Sequence, residues 1–121
     1  MSEPRLFRKS QVRVKITNLD ADKAVVEKIL ITAASKFNLY DNTNESRVPD
    51  TIKSIVEAKG CGFGLGARVV KDSIFVDFLH RKSNSPKFDQ VHDFILNELR
   101  DRFNSELQEV FENNPAYCKT C

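Results

Sequence analysis

Four glycines stand at alternate positions in one short segment of this sequence. They are Gly60, Gly62, Gly64 and Gly66, and the chain of 121 residues contains no other glycine. Consecutive side chains of a β-strand point to opposite faces of the sheet, so this spacing predicts a strand with one side-chain-free face. Such a strip permits the close approach of a ligand or of another backbone.

Charged and aromatic residues accompany the glycines on the same predicted face. Arginines beside an aromatic ring suit a ligand that carries phosphate groups and a base, through charge-assisted hydrogen bonds and stacking. We therefore expect a small, non-enzymatic binding or regulatory protein that recognises an anionic ligand, a nucleotide or RNA, on this sheet face. The predicted ligand-binding residues are Arg13, Lys15, Gly62, Gly64, Gly66, Arg68, Phe75, Asp77 and Arg81.

The glycine segment does not have the spacing of a phosphate-binding loop. The pattern G-x-x-x-x-G-K-[ST] is absent from the sequence. Residues 62–67 match G-x-G-x-x-[GA] as a string, but a dinucleotide fold requires a helix directly after it. Here the segment 68–70, Arg-Val-Val, and a turn follow instead, so we interpret the match as accidental.

Two short strings resemble signatures of the RNA-recognition motif. KGCGF at 59–63 is similar to the start of that family's third-strand signature, and VKITNL at 14–19 is similar to its first-strand signature. Lys15, Cys61 and Gly66 stand where the family places aromatic residues, which stack on RNA bases. The likeness covers these two strings and does not assign the chain to the family.

Few residues in the chain are suited to catalysis. His80 and His92 are its two histidines, the side chains that titrate nearest to neutral pH. Asp77 is the best acid candidate because its apolar neighbours favour the protonated carboxyl. Pairing with Arg68 would instead hold the charge and make Asp77 structural. A small enzyme that uses Asp77 or His80 is thus a third hypothesis, and we expect binding rather than catalysis.

Composition limits the class of protein. The chain is 40% hydrophobic and 30% charged with a net charge of +2, which is typical of one globular domain. No apolar run reaches the ~20 residues of a membrane span, and the first residues lack the apolar core of a secretory signal. We expect one cytoplasmic domain over 1–121, with flexible tails at 1–9 and 114–121.

The cysteines indicate neither a disulfide framework nor a metal site. An odd number of them, three, fits a reducing compartment. Cys118 and Cys121 form a C-x-x-C pair, but zinc requires two further ligands, for which Cys61, His80 and His92 are the only soft candidates in the sequence. We expect no bound metal or cofactor.

Periodicity predicts the elements that position the glycine strip. Residues 11–18 alternate as a half-buried strand, and a helix with a cap at Asp20 or Asp22 follows to about Phe37. The polar segment 38–50 predicts a loop, whose role the sequence leaves open. Residues 51–57 fit a strand better than a short helix.

Residues 60–80 predict a β-hairpin. A two-residue turn at 72–73 or at 71–72 places the apolar residues of both strands on one face and the glycines on the other. With the turn at 72–73, Arg68 stands directly across from Asp77, an arrangement that stabilises a sheet.

An apolar stripe predicts a long C-terminal helix from about Pro86 to Asn113. This helix would be about 42 Å long, whereas the strand at 74–80 spans about 23 Å. An apolar overhang of that length needs cover, either from the first helix or from the same helix of a second subunit. The alternative function is therefore a homodimeric interaction module. The complete prediction is an α+β fold, β-α-β-β-β-α, with an antiparallel sheet and the helices on one of its faces.

Overall fold

The computed structural model describes residues 7–46, 48–57, 63–80, 86–103 and 107–111. In chain order the elements are β1 (Phe7–Lys15), α1 (Leu19–Phe37), β2 (Tyr40–Asp41), a 3-10 turn (Thr43–Glu45), β3 (Thr51–Val56), β4 (Phe63–Val70), β5 (Ser73–His80), α2 (Pro86–Arg102) and β6 (Leu107–Phe111). The predicted α+β class is confirmed, since the strands form an antiparallel sheet and two helices accompany it.

The strands lie side by side in the order β2-β3-β4-β5-β1-β6, and every neighbouring pair is antiparallel. The hairpin that the sequence predicts is formed by β4 and β5, and it lies in the middle of the sheet. Strand β1 is internal because it pairs with β5 on one edge and with β6 on the other. The two edges of the sheet are therefore the short β2 and the strand β6.

Both helices pack against one face of the sheet. The core consists of alternate residues of the strands and the apolar stripes of the helices. It contains Val12, Val14, Ile55, Phe63, Leu65, Ala67, Ile74, Val76 and Phe78 from the strands, and Val26, Ile29, Leu30, Ala33, Phe88, Val91, Ile95, Leu96 and Leu99 from the helices. Neither described helix is long and apolar enough to cross a membrane.

A carboxylate joins the end of β1 to the start of α1. The N-cap of α1 is Asn18, whose side chain accepts a hydrogen bond from the backbone N–H of Ala21 at 3.1 Å. Asp22, one of the two predicted caps, is buried and accepts hydrogen bonds from the backbone N–H groups of Thr17 and Asn18 at 2.9 and 3.2 Å. Asp22 therefore does not cap the helix as predicted. It binds the backbone of the connection between β1 and α1 instead.

The sequence predicts a loop over 38–50, but part of this segment is a strand. Strand β2 pairs with β3, with Tyr40 opposite Val56 and Asp41 opposite Ile55. Polar side chains hold this edge, since the Asp41 carboxylate binds the Lys53 ammonium at 2.8 Å and the backbone N–H of Thr43 at 2.8 Å. Polar composition therefore marks a hydrogen-bonded edge strand here as well as a turn. The prediction of a strand at 51–57 is confirmed by β3.

The predicted helix over 86–113 is too long. Helix α2 ends at Arg102, and residues 107–111 form β6 on the outer edge of β1. Strand edges expose backbone groups that need hydrogen-bond partners, and β6 supplies them to β1. Helix α2 and an eight-residue strand are both about 26 Å long, so α2 does not extend beyond the sheet, and the predicted overhang that called for a second subunit is wrong.

Two predicted tails flank this domain. Strand β1 begins at Phe7, inside the segment 1–9 that the sequence assigns to a flexible tail. The other predicted tail, 114–121, lies outside the described residues, together with Cys118 and Cys121.

Candidate functional site

The sheet face turned away from the helices is named the distal face. It alternates with the core residues along each strand, as a period-two pattern requires. Its described side chains and glycines include Gln11, Arg13, Lys15, Ser54, Val56, Gly64, Gly66, Arg68, Val70, Ser73, Phe75, Asp77 and Leu79.

Most of the residues predicted to bind a ligand share the distal face. These are Arg13, Lys15, Gly64, Gly66, Arg68, Phe75 and Asp77. The other two predicted residues, Gly62 and Arg81, lie outside the described residues. The structure therefore brings together the described part of the predicted set through three neighbouring strands, β4, β5 and β1.

The hairpin uses the second of the two predicted turns, at Lys71 and Asp72. Val70 pairs with Ser73, so Arg68 lies directly across from Phe75 and not from Asp77. The carbonyl of Asp72 accepts a hydrogen bond from the backbone N–H of Ile16 at 2.8 Å, which fixes this turn against the end of β1. The faces of both strands are as predicted, because the two turns differ in register by an even number of residues.

Arg68 is held from two sides. Its Nε donates a hydrogen bond to Oδ2 of Asp77 at 3.0 Å, diagonally across the hairpin. Its guanidinium carbon lies over the ring of Phe75, 5.3 Å from the centroid, at the distance of a cation–π interaction. The amide of Gln11 donates to the other carboxylate oxygen of Asp77, Oδ1. The carboxylate is thus fixed by one strand on each side.

The terminal nitrogens of Arg68 have no hydrogen-bond partner among the residues that the structure describes. Within the described part of the chain, the Arg68 side chain makes no hydrogen bond besides the one from Nε, and it is 24% exposed. An ordered guanidinium with unpaired Nη–H groups is a donor set for an oxyanion.

Positive charge predominates around Arg68. Arg13 pairs with Phe75 from the opposite side, so a row Arg13–Phe75–Arg68 crosses β1, β5 and β4. Lys15 follows two residues after Arg13 on the same face, and both side chains are exposed. Among the described side chains of the distal face, these three cations face one carboxylate, that of Asp77. The face therefore attracts anions.

Backbone conformation does not require glycine at the described glycine positions. No described glycine has a positive φ, whereas Asn38, Asp50 and Lys71 adopt left-handed conformations with φ of 57°, 57° and 56°. A Cβ at Gly66 would lie 3.5 Å from the Lys53 carbonyl oxygen, which is ordinary van der Waals contact. An alanine fits at position 66, so the fold of this chain does not demand glycine there. What glycine supplies at this position is the absence of a side chain on the distal face.

The residues considered for catalysis are placed differently. Both carboxylate oxygens of Asp77 accept hydrogen bonds, an arrangement that holds Arg68 in place. His92 lies on the helix side of the sheet, with its ring 4.5 Å from that of Phe78. The side chain of His80 is not among those described. In the described segments, no three His, Cys, Asp or Glu side chains form a group that could hold a metal ion.

The predicted site did not include Gln11 and Ser54, which also lie on the distal face. Gln11 is buried, with 9% exposed, and orients Asp77. It lies two residues before Arg13, so the alternation along β1 carried the signal. Ser54 lies opposite Gly66 on β3, and no signal in the sequence could align β3 with the glycines before the register was known.

Comparison with known proteins adds no family assignment. The chain matches no protein-family model. No curated protein sequence is significantly similar to it either.

Proposed function

We propose that this protein is a non-enzymatic binding or regulatory protein that takes an anionic, phosphate-bearing ligand, a nucleotide or RNA, on the distal face. The single observation that carries the proposal is the arginine at its centre. Arg68 is fixed by Asp77 and Phe75, and it presents unpaired nitrogens within the described part of the chain, two residues from Gly66.

The surroundings of Arg68 support this choice of ligand. Arg13 and Lys15 add positive charge on β1, and arginine and lysine both bind phosphate groups in proteins. Gly66 leaves room for a ligand to approach the backbone closely. A guanidinium plane or an exposed aromatic ring also provides a stacking surface for a base. We place this binding in the cytoplasm, where the three cysteines stay reduced.

The decisive experiment compares Arg68→Ala with a matched control, Arg102→Ala. Arg102 is an exposed arginine of α2 that forms an ion pair with Glu98 and lies away from the distal face. Binding of pyrophosphate, adenosine monophosphate and a short oligouridylate RNA is measured by calorimetry or fluorescence anisotropy. We expect Arg68→Ala to weaken binding roughly 10- to 100-fold, as for loss of a charged hydrogen bond, and Arg102→Ala to leave it unchanged.

Salt dependence provides a second measure of the same binding. Each phosphate contact in a single strand contributes about −0.7 to the slope of log affinity against log salt, so three cations give a slope of about −2. A slope near zero, or equal affinities of both arginine variants, would contradict the proposal.

A homodimer through the distal face is a second candidate. The observation in its favour is that Val70, Phe75 and Leu79 are only partly buried and lie beside glycines that permit close approach. Light scattering over a range of concentrations measures the mass of the particle. A concentration-dependent dimer that persists in high salt, with none of the three probes bound, would favour this candidate over ligand binding.

A further inference from the structure

We infer that Arg68 binds a phosphate group of the ligand through the edge formed by its two Nη atoms, and that Asp77 is the residue that positions the Arg68 guanidinium for this contact. The inference rests on the proposed function and deepens it, because it assigns the recognition step to one edge of one guanidinium. It also predicts that removing the charge of Asp77 weakens phosphate binding, whereas a simple count of charges predicts tighter binding.

The edge follows from the covalent geometry of arginine. A guanidinium is planar and presents its N–H groups in a rigid fork that matches two oxygens of a phosphate or carboxylate. In this protein Nε is already committed to Asp77. The edge formed by the two Nη atoms lies on the far side of the guanidinium from the Nε–H. This edge is the one that carries no hydrogen bond within the described residues.

The ring of Phe75 fixes the plane of this fork. Arg68 lies over the ring at 5.3 Å, and its Nε is held by a carboxylate that is itself only 13% exposed. A long side chain normally loses its freedom of rotation when it binds a ligand, which weakens binding. Here the protein has already restricted that freedom. The two Nη atoms of Arg68 are therefore already oriented when a phosphate group binds.

Asp77 can affect the affinity for phosphate in two opposite ways. A carboxylate near a binding site repels an anion and reduces the charge of its arginine. A carboxylate that binds Nε also aims the two Nη atoms at the ligand. Because Gln11 donates a hydrogen bond to the same carboxylate and restricts its orientation, the second effect dominates in our inference. Removing the charge of Asp77 should therefore weaken phosphate binding.

Two substitutions with a matched control test this in the full-length protein. Arg68→Lys keeps the charge and loses the fork, while Asp77→Asn keeps the shape and loses the charge. Arg102→Lys is the control on α2. The probes are pyrophosphate, adenosine monophosphate and short oligouridylate RNA. We expect Arg68→Lys to weaken binding of the best probe about tenfold, Asp77→Asn to weaken it several-fold, and Arg102→Lys to leave it unchanged.

The outcomes separate the inference from the proposed function. If the wild-type protein binds none of the probes, both are overturned. If it binds and Arg68→Lys binds equally well, the fork is refuted while anion binding on the distal face stands. Tighter binding by Asp77→Asn would refute the positioning role, because the carboxylate would then act only by masking charge.

Nuclear magnetic resonance of the arginine side chains keeps the test valid if a variant fails to fold. On titration of the wild-type protein with pyrophosphate, the Nη resonances of Arg68 should shift more than its Nε resonance, which Asp77 already binds. A larger shift at Nε would overturn the inference. Binding of pyrophosphate as tight as that of the RNA identifies a terminal phosphate as the source, whereas binding of the RNA alone identifies a phosphodiester, and either supports the contact.

Discussion

On the helix side of the sheet, β4 and β5 present Phe63, Leu65, Ile74, Val76 and Phe78, all with at most 1% of their surface exposed. On the distal side, the same two strands present glycines, an arginine, a carboxylate and one aromatic ring. The same two strands thus present two faces of different chemical character. One face supplies the apolar burial that folds the chain, and on our proposal the alternate residues serve recognition.

The division is sharpest at adjacent positions. Ala67 is 1% exposed in the core, and Gly66 beside it leaves space that a methyl group would fill without a clash. Substitutions at neighbouring positions should therefore change different properties, stability on one face and binding on the other.

The largest effect is expected from phenylalanine truncation on the two faces of β5. Phe78→Ala removes a fully buried ring and should lower the free energy of unfolding by about 3–5 kcal/mol. Phe75→Ala, on the distal face, should cost about 1 kcal/mol because its ring is only partly buried. Urea unfolding of both variants measures the difference, and equal losses would show that the distal face is also a packed surface.

The next effect concerns the neighbours Ala67 and Gly66. Ala67→Gly should lower the free energy of unfolding by about 1–2 kcal/mol, through lost burial and a more flexible unfolded chain. Gly66→Ala should raise it by about 0.5 kcal/mol because the backbone has ordinary φ and the Cβ fits.

The same pair distinguishes stability from binding. Gly66→Ala should weaken the binding of phosphate-bearing probes although the protein becomes more stable. Chemical denaturation and calorimetry on one preparation measure both quantities. A variant that gains stability and keeps full affinity would show that nothing approaches the strip closely.

A smaller effect is expected where a left-handed residue is not glycine. Lys71 has a φ of 56° in the hairpin turn, a conformation that glycine adopts without steric cost. Lys71→Gly should therefore raise the free energy of unfolding by about 0.5 kcal/mol, measured by the midpoint of thermal unfolding. The control is Lys36→Gly in α1, which should destabilise the protein because glycine weakens a helix.

The smallest effect concerns an ion pair at the edge of the helix-covered face. Hydrogen bonds from Lys53 and Thr43 lower the pKa of Asp41 from 3.8 to about 2. Because the folded state lowers this pKa, the stabilisation is present above pH ~4 and is lost as the pH falls towards 2. The Asp41 side chain is 53% exposed, so solvent screening keeps the contribution below about 0.5 kcal/mol. Asp41→Asn should remove this pH dependence, and an unchanged acid profile would contradict the assignment.

The elements with a single regular period could be predicted from sequence. One burial pattern fits each of three regions, and the core follows it in each. The regions are the strand around Val12 and Val14, the apolar stripe of α1, and the alternating strands β4 and β5. The distal face could be predicted for the same reason, since it is the complement of the core. Arg68, Phe75 and Asp77 therefore share a face in either register of the hairpin.

The misses arise where a pattern fits two structures. Leu107 and Val110 continue the helical stripe but equally suit a strand, and the unpaired edge of β1, which is remote in sequence, decides between them. The sequence left two hairpin turns open, and the choice of the turn at Lys71 depends on a left-handed lysine, which no propensity indicates. The hydrogen bonds of Asp41 recruit β2 into the sheet through contacts with Lys53 on another strand.

The position of β1 between β5 and β6 has a consequence for how the chain reaches its native state. Val12 pairs with Val76 on one side and with Glu109 on the other, so its neighbours are synthesised long after it emerges from the ribosome. Pairings of such large sequence separation slow folding, whereas the β4–β5 hairpin is local and can form early. Until residues 107–111 have been made, the hairpin can cover only one edge of β1, and the other edge has no strand of its own chain to pair with and is open to pairing with another molecule.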